Sequence, residues 1–247
     1  MRKLKLQEPS EIELANWIRY YKRKAIGQTH LPYADLEAWC IKRLNVPDDI
    51  HAPFVIGYEI NVNEDDPKKS TVHVSISTRL LLEHGLYTKH VCTYATYKLM
   101  WHGFPVFSIG VTDMRRKFHP TSLSICCGEE TSDYEFIFRV LKEIMNKLFN
   151  ILYEPYILVA DGAHAITNAF VNIFNNQNII RIMCWVHMYR NVDKNLNGSE
   201  LKLFKDDILN DITILQRCIS SQHFQYACDL FFKKWQIINN DSLNAFL

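Results

Sequence analysis

One short run constrains this chain more than any other. Residues 156–160 read Tyr-Ile-Leu-Val-Ala and close on Asp161-Gly162. An unbroken apolar run behind Pro155 predicts a central strand buried on both faces, because a half-exposed strand would alternate. Such a strand needs helices to cover it, and the sequence supplies them on either side. Upstream, Tyr134, Ile137, Phe138, Leu141, Ile144, Met145 and Leu148 recur at helical spacing behind a Ser132-x-x-Glu135 capping box. Downstream, Ile166, Ala169, Phe170 and Ile173 form a second stripe, which the Asn-Asn-Gln-Asn run at 175–178 closes. Residues 179–183 then make a further strand.

Three β-like segments precede the long helix, at 91–98, 106–111 and 118–126. Gly103 marks the first turn, and the polar, basic stretch Asp113-Met114-Arg115-Arg116-Lys117 marks the second. The order is β-β-β-α-β-α-β-α. It predicts an α/β fold in which one mixed sheet carries helices on its faces. Before this core, Ser10-Glu11-Ile12-Glu13 is a capping box, and Asp35 is placed to cap a helix ending before Pro47. A hairpin is expected from strands 54–60 and 72–76, then a short helix over 77–85. After the core, 199–216 and 222–238 read as amphipathic helices. The divisions expected are 1–87, 88–196 and 197–247, with helical segments at both ends.

The 247 residues are 48% hydrophobic, enough for a substantial core. A formal net charge of +1 excludes a polycation, so any nucleic-acid contact must be local. Residues 1–30 carry seven basic side chains against three acidic ones. Within them Arg19, Lys22, Arg23 and Lys24 flank two tyrosines. That run reads either as a DNA-phosphate contact or as a solvated helix end whose cations suit the helix dipole. No apolar h-region follows Met1, and no apolar run approaches a membrane span, so neither secretion nor a membrane partner is expected. Seven cysteines, odd in number and irregularly spaced, predict reduced thiols and an intracellular location.

Four stretches together carry a resemblance: Tyr97-Lys98-Leu99 with Gly103-Phe104-Pro105-Val106, Arg116-Lys117-Phe118-His119-Pro120, residues 160–170 (ADGAHAITNAF) and residues 181–194 (RIMCWVHMYRNVDK). The chain resembles the transposase domain of Mutator-like elements, a class of cut-and-paste DNA transposases. That likeness implies a ribonuclease-H-like sheet, nuclear DNA as partner, and strand transfer by two Mg²⁺ or Mn²⁺ ions held by two aspartates and a glutamate. Such chemistry needs carboxylates converging on hard cations.

Residue by residue, the resemblance places the second acid at Asp161. The first acid position holds Tyr94, and a neutral phenol cannot replace an aspartate as a metal ligand. The third acid is expected downstream, beyond inserted helices, and no residue up to Leu247 matches it. Asp206, Asp207 and Asp211 fall on a helical stretch and read as solvated. Asp161 also precedes a helix, where it reads equally as an N-cap. Cys184-x-x-His187 matches the family's Cys-x-x-His and reads as half of a Zn²⁺ site or as a buried thiol beside a hydrogen-bonded imidazole. Cys126 and Cys127 are further thiols that could complete such a site, though they lie far away in sequence. The zinc-finger head that the family carries upstream has no counterpart before Thr88.

The predicted function is therefore that of a transposase-type domain without catalysis. A DNA- or protein-binding domain derived from a transposase is the alternative, and a nuclease with another acid set is a third. DNA binding, weak and sequence-independent, is assigned to Arg19, Lys22, Arg23, Lys24, Arg115, Arg116 and Lys117. One geometric expectation needs only coordinates. The Tyr94 strand should run antiparallel to 106–111 and parallel to 156–160, bringing Tyr94 and Asp161 together with the phenol on the carboxylate and Cys184 and His187 nearby.

Overall fold

The computed structural model describes residues 32–66, 69–97, 99, 103–197 and 200–236. The Ser10 capping box and the basic run Arg19, Lys22, Arg23 and Lys24 lie outside the described residues. Helix α1 (Tyr33–Ile41) leads into β1 (Phe54–Asn61) and β2 (Thr71–Ser77), then a one-turn helix α2 (Arg79–Glu83). The core follows: β3 (His90–Thr96), β4 (Val106–Thr112), β5 (Phe118–Ile125), α3 (Thr131–Phe149), β6 (Ile157–Ala160), α4 (His164–Phe174), β7 (Ile180–Met183) and α5 (Trp185–Asn197). A 3₁₀ turn over Glu200–Phe204 joins α5 to α6 (Lys205–Gln216) and α7 (Ser221–Gln236). None of the described helices is long and apolar enough to cross a membrane.

The fold is mixed α/β, as expected. One seven-stranded sheet runs β1-β2-β5-β4-β3-β6-β7. β3 is antiparallel to β4, with Tyr94 opposite Ser108, and parallel to β6, with Cys92 opposite Val159. The parallel pair follows from α3, which carries the chain back over the sheet before β6 begins. β6 and β7 are also parallel, joined by α4.

The β1–β2 hairpin is not a separate region. β2 pairs with β5 through Val74–Ile125 and Ile76–Leu123, so residues 54–77 extend the same sheet across the expected boundary at 88. β2 is buried on both faces over residues 72–75. His73 turns toward α3, where its ring stacks on Phe136, and Val72 and Val74 pack with Cys40 and Trp39 of α1.

The main core lies between the sheet and α3 with α4. Phe138, Phe170 and Phe174 pack ring against ring there, over Val91, Ile109, Leu158 and Ala160. The predicted α3 stripe is buried over Tyr134, Ile137, Phe138, Leu141, Ile144 and Met145. Its capping box, however, is Glu130 with Asp133 rather than Ser132 with Glu135. One Asp133 carboxylate oxygen accepts from the Glu130 amide at 2.9 Å while the other meets His73 at 2.7 Å, and the helix begins earlier than a Ser132 cap would allow.

β6 also departs from expectation. Leu158 and Ala160 are buried, while Ile157 and Val159 are only half-buried. The α3–α4 layer covers one face; beside the strand, the His187 ring of α5 lies against Tyr94 of β3. At the C-terminal end, Leu196, Ile208, Leu209 and Trp235 form a small helical cluster of their own. Asp211 is not merely solvated: it accepts from Trp235 Nε1 at 2.9 Å and from Lys234 at 2.7 Å, tying α6 to α7.

Candidate functional site

The C-terminal ends of β3 and β6 set the geometry. Cys92 lies opposite Val159, and two residues further on stand Tyr94, within β3, and Asp161, the first residue past the end of β6. Two steps along a strand return to the same face, so the register brings these positions level. Cys184, at the end of β7, and His187, in the first turn of α5, close over Tyr94. The Cys184 thiol donates to the Tyr94 hydroxyl at 3.7 Å, and the His187 ring lies 5.7 Å from the Tyr94 ring. Phe118 meets Tyr94 edge-on at 5.4 Å. Gly110 makes room for it, since a Cβ there would sit 2.6 Å from the Phe118 ring and 2.2 Å from the His119 carbonyl oxygen.

The expected strand pairing and the proximity of Cys184 and His187 are borne out. The expected bond from phenol to carboxylate is not found. The Tyr94 hydroxyl is engaged by Cys184. The Asp161 carboxylate accepts instead from the Ala163 amide at 2.9 Å. Asp161 is also not the helix N-cap, which is Ala163; it stands two residues earlier and closes an Asx turn.

Electrostatics around Tyr94 favour the neutral phenol. Burial, then the Cys184 bond and the charges of Cys184 and Cys92, push its ionisation far above the ordinary tyrosine value. Burial likewise lifts the Cys92 thiol to about 11. Beside Asp161, Arg181 occupies the strand ends. Its guanidinium donates to the carbonyls of Ala160, at 3.2 Å, and of Asp161. It also donates to the Thr167 hydroxyl at 3.1 Å, and the Asp161 charge acts on it.

One acid near this end escaped the sequence reading. Partial burial, then the carboxylates of Asp161 and Asp133, raise the Glu129 carboxyl above its ordinary value, against the bond from Tyr97. Glu129 sits in the loop after β5, and nothing local distinguishes it from a solvated loop acid.

Cys184 and His187 share one face, as their spacing predicts, but gain no third donor from Cys126 or Cys127. The Cys127 thiol lies on the β2 backbone, accepting from the Val72 amide at 2.9 Å. Cys126 is fully buried beside His73 and Asp133. Those three are a possible metal-binding triad, with donor atoms all within 4.8 Å of one another. It joins β2, the end of β5 and the first turn of α3, across sequence gaps too long for any motif to reveal.

Arg115, Arg116 and Lys117 form the exposed β4–β5 tip. Asp113 organises it by accepting from the amides of Arg115, at 2.8 Å, and Lys117, at 2.9 Å. The tip follows Thr112, whose amide donates to His90 at the start of β3. It therefore lies at the opposite end of β3 from Tyr94 and Asp161. No protein-family model matches the chain, and no curated protein matches it either.

Proposed function

We propose that this chain is a transposase-derived domain of the Mutator-like kind that no longer performs two-metal strand transfer, and that binds nucleic acid weakly through its surface cations. One observation carries the reading. The position level with Asp161 on the neighbouring parallel strand is a half-buried, neutral Tyr94 whose ring lies between Phe118 and His187. Two-metal catalysis requires a second carboxylate there to bridge ions about 4 Å apart. A phenol gives one uncharged oxygen, and this one already accepts from Cys184. Mg²⁺ or Mn²⁺ therefore has a poor donor set at the β3–β6 end. Cys184 and His187 alone fall short of the four donors of a structural Zn²⁺ site.

The alternative use, a protein-binding domain, shares the same inactive centre. A nuclease with a different acid set has one observation in its favour, the Glu129 carboxyl near enough to Asp161 for their charges to interact. Incubating the protein with supercoiled DNA and Mg²⁺ or Mn²⁺ separates these readings. We expect no nicks. Metal-dependent nicking abolished by Asp161→Ala would overturn the inactive reading, and additional loss in Glu129→Gln would establish the other acid set.

A further inference from the structure

The buried triad on the hairpin side of the sheet has a shape that its hydrogen bonds alone do not explain. His73, Cys126 and Asp133 are 7%, 0% and 4% exposed. His73 Nε2 lies 2.7 Å from Asp133 Oδ1, and its ring is held flat on Phe136. The other ring nitrogen, Nδ1, is buried and has no hydrogen-bond partner. It faces Glu59 Oε2 at 3.9 Å, too far for a hydrogen bond, and Glu59 is itself held by Arg139. A buried imidazole nitrogen left short of a carboxylate is costly unless another ligand changes the tautomer.

We propose that His73, Cys126 and Asp133 bind a zinc ion, with Glu59 as the outer carboxylate that orients His73. Zinc takes imidazole nitrogen, thiolate sulfur and carboxylate oxygen together, whereas Mg²⁺ rejects the thiolate. Neutral His73, a Cys126 thiolate and the Asp133 carboxylate sum to the two negative charges that a divalent ion cancels, which suits a buried site. Zinc on Nε2 fixes the proton on Nδ1, and Nδ1–H then points at Glu59, the usual outer partner of a metal-bound histidine. Tetrahedral Zn–N and Zn–O bonds of about 2.0–2.1 Å put those two donors roughly 3.3 Å apart, so the His73–Asp133 contact of 2.7 Å opens by about 0.6 Å on binding. The Cys126 proton leaves to water as the Zn–S bond forms. Because the three donors come from β2, the end of β5 and α3, the ion would staple the added hairpin to the core.

Cobalt(II) tests this on the full chain, stripped with a chelator under reducing conditions. One equivalent should give a sulfur-to-cobalt charge-transfer band that Zn²⁺ displaces. Cys126→Ser should abolish the band, and Glu59→Gln should weaken binding by roughly 10–100-fold. Cys184→Ser should leave it unchanged. Failure of the folded wild type to bind cobalt or zinc would overturn the proposal, as would a band that survives Cys126→Ser or disappears in Cys184→Ser. Circular dichroism checks the fold of each variant. If Cys126→Ser does not fold, Glu59→Gln decides, since Glu59 is partly exposed and an unchanged affinity there refutes the site.

Discussion

Tyr94 in β3 and Asp161, just past the end of the parallel strand β6, stand level, yet their polar atoms turn apart: the Tyr94 hydroxyl meets the Cys184 thiol at 3.7 Å, and the Asp161 carboxylate meets the Ala163 amide at 2.9 Å. The two positions keep a shared geometry and have separate chemistry. Tyr94→Phe removes only a weak thiol bond and should cost less than about 1 kcal/mol. Tyr94→Asp puts a carboxylate between Phe118 and the Cys92 and Cys184 thiols, and should cost about 3 kcal/mol. Urea titration measures both. Tyr94→Asp should not restore nicking, because a single added acid does not complete the three-carboxylate set.

Gly110 is the backbone position on which this packing depends. The β4–β5 register shifts between Ile109 and Gly110, and a Cβ there would run into the His119 carbonyl oxygen as well as the Phe118 ring. A ring can rotate away, but paired backbone cannot. Gly110→Ala should destabilise by about 1–3 kcal/mol. Gly85→Ala, whose nearest neighbour at 3.3 Å is the flexible end of Met145, should cost less. Thermal melts of the two variants, compared at equal ionic strength, give the order.

Any binding of DNA by the β4–β5 tip should depend strongly on salt. Each phosphate neutralised releases condensed counterions, so the log–log slope changes by roughly 0.9 per contact on duplex. Replacing Arg115, Arg116 and Lys117 together should flatten the slope by up to about three such contacts. Fluorescence anisotropy on unrelated duplex sequences reads it. An unchanged slope in the triple variant would remove the tip from the binding surface.

Glu129 gives a pH test. Its folded-state value is raised, first by partial burial and then by Asp161 and Asp133. A raised acid contributes stability below its unfolded value and loses that contribution as pH rises through the folded one. Glu129→Gln should therefore be more stable than the parent at neutral pH, and the two should converge below about pH 4. Solvent screening of this exposed loop makes the sign of the difference the criterion. Denaturant midpoints across pH 3–8 would show it, and a variant less stable at pH 7 would contradict it.

Hydrophobic pattern alone determined much of this protein. The α3 stripe and the strand that ends just before Asp161 were legible, because burial periodicity acts over a few residues. The parallel pairing of β3 with β6 followed from a helix long enough to cross the sheet. Only the tertiary structure decided which polar groups meet. Neither the partner of Tyr94 nor that of Asp161 could be read from spacing, since a strand register fixes positions while side-chain rotation and competing donors fix bonds. The hairpin's place beside β5 was equally invisible locally, because both sheet edges offer the same backbone groups. That placement brings His73 to Cys126 and Asp133, 53 and 60 residues away along the chain. A donor set assembled by strand order has no sequence motif, so the fold had to form before those three residues could be seen as one group.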